Sequence, residues 1–437
     1  MGFAVDARTA ADAARLARRM LVPLRDEIIG LAQALVWIDT TAVPPEGKEG
    51  PAQRALARIL RRHRLDVEVY DTGFLNRTNH PFVRRERRYA GRPNLIAGIL
   101  GAGGGLSLLF SGHMDTVPAG SGTWRESPWS GTIRNGKLYG RGSYDMKGGL
   151  AAQFGVGMAL KRAGVRLRGD LLAESVVDEE WAGGGGTLAA RLRGDTADAC
   201  VIGEVSNLAV CRATRGGHFF EISVKAGDPG HYFSREEVVG PAIPLGRLLA
   251  WVDRWAAKRR KAGKGGPYRD FSDPAPVQVL ALEANRFDPA IPWSVPLEAR
   301  VRIYFQFLPD EDVSRIMRTI RTSFSEFCRN DAFFRIHPPV WHDIVSPPLS
   351  GHELEEEHPW TQCLLQSVSA VLRRPVAAAA AEFPCDAFIN QNYFGIPTLV
   401  FGPCGAGAHN VDEYVTTSSV LRTAEAGLTA TLLWCGG

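Results

Sequence analysis

Residues 106–115 read Leu-Ser-Leu-Leu-Phe-Ser-Gly-His-Met-Asp, a short apolar run, Leu106–Phe110, that ends on His113 and Asp115. Three other apolar runs end the same way. Leu171–Val177 leads into Asp178-Glu179-Glu180, Cys200–Ile202 into Gly203-Glu204, and Pro397–Phe401 into a Gly-rich stretch that closes on His409. Runs of this length bounded by turn residues read as buried strands. Helical patterns lie between them, over Gly149–Lys161, Thr187–Arg193 and Trp360–Arg373. Such alternation predicts an α/β sheet covered by helices. In open α/β sheets ligands bind outside the carboxyl ends of the strands. Four strands that each deliver a His or an acid to that edge point to a metal site.

Working outward, Leu95–Leu100 and Leu106–Phe110, joined by Gly101–Gly105, are expected to pair with each other. The middle of the chain changes style. Phe219–Lys225, Val277–Glu283 and Leu297–Phe307 read as strands. In the last, Val301, Ile303, Phe305 and Phe307 alternate with Arg300, Arg302, Tyr304 and Gln306, which predicts one packed face and one wet face. Amphipathic helices over about Ala242–Lys261 and Asp310–Arg329 would cover the packed face. The α/β style returns near residue 340. The simplest arrangement is one α/β domain in two pieces, 1–212 and 334–437, interrupted by an α+β domain over 213–333.

The chain has 437 residues, enough for two or three domains, with 45% hydrophobic and 22% charged residues, an ordinary globular composition. A net charge of +4 over this length, with only short basic clusters at Arg84–Arg88 and Lys258–Lys264, argues against nucleic acid as partner. No stretch reaches the roughly 18 apolar residues of a spanning helix. The seven cysteines include no C-x-x-C, and their odd number argues against a disulfide framework. Thr9–Asp39 alternates charged and apolar residues at helical spacing without a signal pattern. The expectation is a cytoplasmic protein, away from the membrane.

The chemistry follows from the residue types. In His113-x-Asp115 an extended backbone puts both side chains on one face, so the carboxylate can accept the second imidazole N–H and fix its tautomer. Asp145 sits among glycines in Gly140-Arg-Gly-Ser-Tyr-Asp-Met-Lys-Gly-Gly149, and a carboxylate there could bridge two ions. Three consecutive acids, Asp178-Glu179-Glu180, repel each other unless a cation neutralises them. Neighbouring side chains point opposite ways, so one can be a ligand and another a general base. The histidines 337, 342, 352 and 358 have irregular spacing and are expected on surface loops. There is no G-x-S-x-G nucleophile elbow. The Gly101–Gly105 cluster is no dinucleotide fingerprint, because a strand follows it.

Taken together, Ser-Gly-His113-Met-Asp115-Thr-Val-Pro, Leu-Tyr-Gly-Arg-Gly-Ser-Tyr-Asp145-Met-Lys-Gly-Gly, Asp-Glu179-Glu180, Ile-Gly-Glu204 and Ala-His409-Asn-Val-Asp-Glu413-Tyr-Val resemble the co-catalytic zinc amidohydrolases and exopeptidases: acetylornithine deacetylase, succinyl-diaminopimelate desuccinylase, aminoacylase and carboxypeptidase G. Pro44-Pro45-Glu-Gly-Lys-Glu resembles the opening of that family, and the motifs run in matching order over nearly the whole chain. The resemblance implies one or two divalent ions, zinc first, with manganese or cobalt as alternatives. His113 and Glu204 would hold one, Glu180 and His409 the other, and Asp145 would bridge. Asp115 would orient His113, and Glu179 would be the general base.

The resemblance also implies that the inserted domain is a lid that forms a homodimer and sends a histidine, matched here by His231, to the oxyanion. The family's carboxylate-binding segment is altered to Pro292-Trp293-Ser294-Val-Pro296, and Gln306 stands where an Arg is counted. Arg215, Arg302 and Trp293 are therefore the substrate-binding candidates, with Arg300 beside them. The implied function is hydrolysis of a C–N bond in a small molecule, first as removal of an N-acyl group from an amino acid or related amide. A dipeptidase or carboxypeptidase, deamination of an aromatic amine, and a non-catalytic metal-binding dimer are the alternatives. A base at Glu179 argues against the last.

Overall fold

The computed structural model describes residues 7–182, 184–225, 240–261, 266–284 and 298–436. They divide into two compact units. The first draws on Met1–Thr214, His352–Ala381 and Cys385–Gly437, the second on Arg215–Gly351 and Glu382–Pro384.

The first unit is built on a nine-stranded sheet. In chain order its strands are β1 (Asp66–Asp71), β2 (Pro93–Ile99), β3 (Leu108–His113), β4 (Leu171–Val176), β5 (Ala199–Ile202), β6 (Val210–Thr214), β7 (His352–Glu353), β8 (Ala378–Ala381) and β9 (Thr398–Val400). Across the sheet they run β7-β6-β9-β5-β3-β4-β2-β1, with β8 paired to β6. The inner four, β9, β5, β3 and β4, are mutually parallel. Every residue of β3, β5 and β9 is buried, as expected of parallel strands covered on both faces. These four are the runs that end in His113, Glu180, Glu204 and the His409 loop, so parallel pairing brings all four ends to one edge.

Helix Gly148–Ala163 is buried along its first thirteen residues and lies between the sheet and helices Ala7–Leu21, Arg25–Val36 and Thr417–Trp434. An all-round apolar helix belongs in such a place. Its glycines permit close approach: a Cβ on Gly149 would lie 1.9 Å from the carbonyl oxygen of Gly203, on the loop that carries Glu204. The N-terminal helical stretch is two helices, Ala7–Leu21 and Arg25–Val36, separated by a short 3₁₀ turn containing Pro23.

Two expectations are corrected here. Strands β2 and β3 do not pair with each other; β4 lies between them, antiparallel to β2 and parallel to β3. The glycine link is not a hairpin turn, because Gly101 and Gly105 pack against the backbone of Arg168 and Gly169, which feeds β4 into that gap. His352 is not on a surface loop. It is buried between Thr214 Oγ1 at 2.8 Å and the Thr398 carbonyl at 3.1 Å, tying β7, β6 and β9 together.

The second unit has a four-stranded antiparallel sheet ordered Val277–Ala284, Glu298–Phe307, Gly216–Lys225, Val340–Asp343. Helices Ala242–Arg260 and Val313–Asn330 contribute Leu248, Trp251, Ile320 and Phe324 to a core with Val301, Ile303 and Phe305. The alternation in Glu298–Phe307 holds through Ile303, and then Tyr304 and Gln306 are buried as well. Tyr304 stacks on Phe219, with ring centroids 4.2 Å apart, and Gln306 bonds Arg215. No helix among the described residues is long and apolar enough to cross a membrane.

Burial pushes the His352 imidazole down to about 4 from its ordinary 6.5. As pH falls below 6.5 the unfolded chain takes up this proton first, so stability is complete above 6.5 and is lost as pH falls through 4. His352→Gln removes that dependence. The stability gap between parent and variant should narrow by about 3 kcal/mol from pH 7 to pH 4 in urea unfolding; a constant gap would contradict a buried neutral imidazole.

Candidate metal centre

His113, Glu179, Glu180, Glu204 and His409 lie at or beyond the ends of the four parallel strands, and Asp145 lies in the turn Ser143–Lys147 that opens helix Gly148–Ala163. His113 ends β3 and is buried. Its Nε2 lies 3.2 Å from Asp145 Oδ1, 3.1 Å from Glu204 Oε1 and 3.8 Å from Glu179 Oε2. His409 reaches the opposite side of the same carboxylate, with Nε2 3.2 Å from Asp145 Oδ2 and 2.8 Å from Glu180 Oε2. Asp145 thus stands between two imidazoles, one on each oxygen. Two sets, His113 with Glu179 and Glu204, and His113 with Asp145 and Glu180, have ligand atoms within 4.8 Å of one another. The structure brings these six side chains together.

The Asp115 geometry differs from the simplest reading of His-x-Asp. His113 Nδ1 meets the backbone carbonyl of Asp115 at 2.9 Å, and the nearer carboxylate oxygen is 3.7 Å away. The Asp115 carboxylate instead accepts the backbone N–H groups of Glu179 and Glu180 at 3.0 Å. One residue therefore sets the imidazole of β3 through its carbonyl and the acid pair after β4 through its side chain. Asp178, at φ +66°, turns away and pairs with Arg92 at 3.0 Å and Arg87 at 3.6 Å. The three consecutive acids are separated in this way, one into a buried ion pair and two toward the histidines.

The electrostatics follow from burial. Burial drives Glu179 well above the ordinary carboxylate range, and Asp386, Glu204 and Glu180 add to this against His113. Burial and Asp145 push Glu180 up to about 7, opposed by His409 and His113. Glu204 rises for the same two reasons, burial and Asp145. Burial acts on Asp145 too, but its bonds to His113 and His409 hold it well below the usual range. His409, although burial lowers it, is pushed up to about 11 by Glu180 and Asp145. The protein is sharing too few protons among too many acids. Ionised, Asp145, Glu179, Glu180 and Glu204 carry four negative charges around two neutral imidazoles, the balance that two divalent cations supply. A mixed imidazole and carboxylate donor set suits zinc, manganese and cobalt. The residues present fit such ions.

Glu413, four residues after His409, is a supporting residue. It is fully buried. Its Oε1 accepts the N–H groups of Tyr144 and Asp145 at 2.9 and 3.0 Å; its Oε2 accepts Gly142 N at 3.0 Å and Arg141 Nη1 at 2.7 Å. This clamp fixes the loop that presents Asp145. Asp386 is a second residue the sequence reading missed. Thr187 Oγ1 donates to it at 2.5 Å, and burial pushes it up to about 7. Only the four-residue spacing of Glu413 from His409 could have signalled the first; nothing local marks Asp386.

Of the substrate-binding candidates, Arg215 and Arg302 belong to the second unit. Arg215 is buried, bonded to Gln306 Oε1 at 3.0 Å and to the carbonyls of Glu382 at 3.1 Å and Asp273 at 3.0 Å. Arg302 is exposed and pairs with Glu221 at 3.2 Å. His231 and Trp293 lie outside the described residues.

Residues 109–432 match the model of peptidase family M20/M25/M40. The chain is 29% identical over 413 residues to a succinyl-diaminopimelate desuccinylase of Gluconacetobacter diazotrophicus, covering 92% of this chain and 95% of that protein. It is 24% identical over 430 residues to an N-formyl-4-amino-5-aminomethyl-2-methylpyrimidine deformylase of Bacillus subtilis, covering 94% and 95%. Among solved structures it is similar to human carnosine dipeptidase 1, with a TM-score of 0.72 at 17% identity over 97% of this chain and 98% of that one.

Replacing Glu413 with Gln keeps the volume but turns an amide N–H toward two backbone donors. Metal affinity and turnover should each fall about 10- to 100-fold, as for other residues that orient a ligand, with the fold retained. Metal content after dialysis, beside circular dichroism, reads this; undiminished metal retention would remove Glu413 from the site.

Proposed function

Because the chain belongs to peptidase family M20/M25/M40, we propose that it hydrolyses a C–N bond with bound divalent metal, removing an N-acyl group from an amino acid or related amine. The observation that carries this reading is Glu179, a half-buried acid 3.8 Å from the His113 imidazole in the candidate metal-ligand cluster. A site that only stored metal has no need of a base beside the ions. Both sequence relatives are named for removing an acyl group, succinyl in one and formyl in the other, which favours a deacylase.

We assign His113 and Glu204 to one ion, Glu180 and His409 to the other, and Asp145 to both. Zinc is the first choice, with manganese or cobalt as alternatives. Bound ions of this kind polarise the scissile carbonyl and lower the pKa of water. Glu179 takes the proton of the attacking water on its free carboxylate oxygen as the C–O bond forms. It returns that proton to the amine nitrogen as the C–N bond breaks; the water's second proton stays on the new carboxyl group, so the first products are a carboxylic acid and a neutral amine, and passage of that proton to the amine gives carboxylate and ammonium. His113 is kept in one tautomer by the Asp115 carbonyl, and Asp115 holds Glu179 and Glu180 in place. His231 serves the oxyanion. Arg215, joined to Gln306, and Arg302 and Trp293 serve the substrate; the resemblance in their sequence positions supports these assignments.

The second unit, the lid, forms the homodimer. Its edge strand Val277–Ala284 leaves Val279, Leu280 and Leu282 at 43%, 49% and 54% exposure, an edge that favours covering. Seven free cysteines fit a reducing cytoplasm.

Glu179→Ala should abolish amine release from a panel of N-acyl amino acids while the metal stays bound, and a chelator should abolish it in the parent protein. Turnover that persists in the variant, or that ignores the chelator, would overturn the mechanism. Light scattering should give a mass twice the 47.6 kDa of the chain; a single chain's mass would refute the dimer.

A further inference from the structure

A second concave surface lies in the first unit, formed by other residues. It is a groove of about 460 Å³ between the ends of helices Ala7–Leu21, Arg25–Val36, Pro359–Leu372 and Thr417–Trp434. Arg18, Arg25, Arg373 and Arg422 line it, with a single acid, Glu425. Glu425 is taken by Arg18 at 2.7 Å. Four cations less one carboxylate leave the lining at +3, most of the chain's net +4. Among the described residues no ion pair involves Arg25, Arg373 or Arg422.

Helix ends account for two of these arginines. Arg18 is in the last turn of its helix and Arg373 is the C-cap of Pro359–Leu372, where cations complement the dipole. They do not account for the others. Arg25 opens helix Arg25–Val36, whose first turn also holds Asp26 and Glu27, the latter engaged by His63 and Arg162; Arg422 sits in the second turn of Thr417–Trp434, whose first turn holds no acid. At both places the positive end of a helix adds to the guanidinium instead of offsetting it. Within the groove lining the one acid, Glu425, is engaged by Arg18, so Arg25, Arg373 and Arg422 have no lining acid to pair with. Beneath the arginines, Leu21, Val371 and Leu421 supply apolar wall.

We propose that this groove binds a small organic polyanion: a phosphorylated molecule with an apolar or aromatic body. Guanidinium forks match phosphate oxygens in a bidentate way. The volume lies in the range of small-molecule sites, and the leucines and Val371 receive the body.

The test is calorimetric titration of ATP, as probe, into the full-length parent protein and into the variant Arg25→Ala/Arg373→Ala/Arg422→Ala. All three positions are exposed, and thermal unfolding checks that the variant folds. The parent should bind ATP with a dissociation constant below about 1 mM, and more weakly as salt is raised. The variant should bind at least tenfold more weakly, and adenosine should bind the parent at least tenfold more weakly than ATP. No saturable binding by the parent, or equal binding by the variant, would overturn the site. Tighter binding of a polyglutamate peptide than of ATP would overturn the choice of a small molecule. The readout is binding, so it stands apart from the hydrolase reading; amide hydrolysis in the variant should equal that of the parent.

Discussion

The accumulation of negative charge beyond the ends of four buried parallel strands is the constraint on which the rest depends. Asp145, Glu179, Glu180 and Glu204 are drawn together around two imidazoles, with Asp115 directly behind them. In a medium of low polarity such a group is costly unless protons or cations neutralise it. The directions of titration show the protein distributing too few protons: Glu179, Glu180 and Glu204 are pushed up while His113 and His409 are held charged. A site that resists closing on protons alone is one prepared for metal.

Holding those acids in place requires a second ring of contacts, and much of it is backbone. Asp115 binds two amide N–H groups and Glu413 binds three, plus the Arg141 guanidinium. Each carboxylate fixes a loop that presents another carboxylate. Glycines make the geometry possible where backbone meets backbone, as at Gly149 against Gly203. Precision at the ligands thus comes from amides that have no freedom to move, a sounder basis than long side chains.

The two units follow different physical logic. In the first, strands buried on both faces position chemistry at their ends. In the second, an antiparallel sheet covered by helices keeps an exposed edge with three apolar side chains, Val279, Leu280 and Leu282. An edge of this kind suits association with another chain, whereas a sheet closed on both sides suits a site that must not shift.

By itself the sequence determined the period of the elements and the order of the candidate metal-binding residues. Apolar runs ending on His113, Glu180, Glu204 and His409 are local features, and hydrophobic periodicity reports them because burial of a strand depends on its own residues. Tertiary structure decided what depends on neighbours far along the chain. That β4 enters between β2 and β3 goes with contacts of Gly101 and Gly105 against Arg168 and Gly169, far along the chain. That His352 is a core residue depends on Thr214 and Thr398. That the Asp115 carboxylate serves Glu179 and Glu180 instead of the His113 ring depends on where β4 ends beside β3. Glu413 and Asp386 carry no local pattern, since a supporting acid is defined by the donors around it, and those donors come together only when the chain has folded.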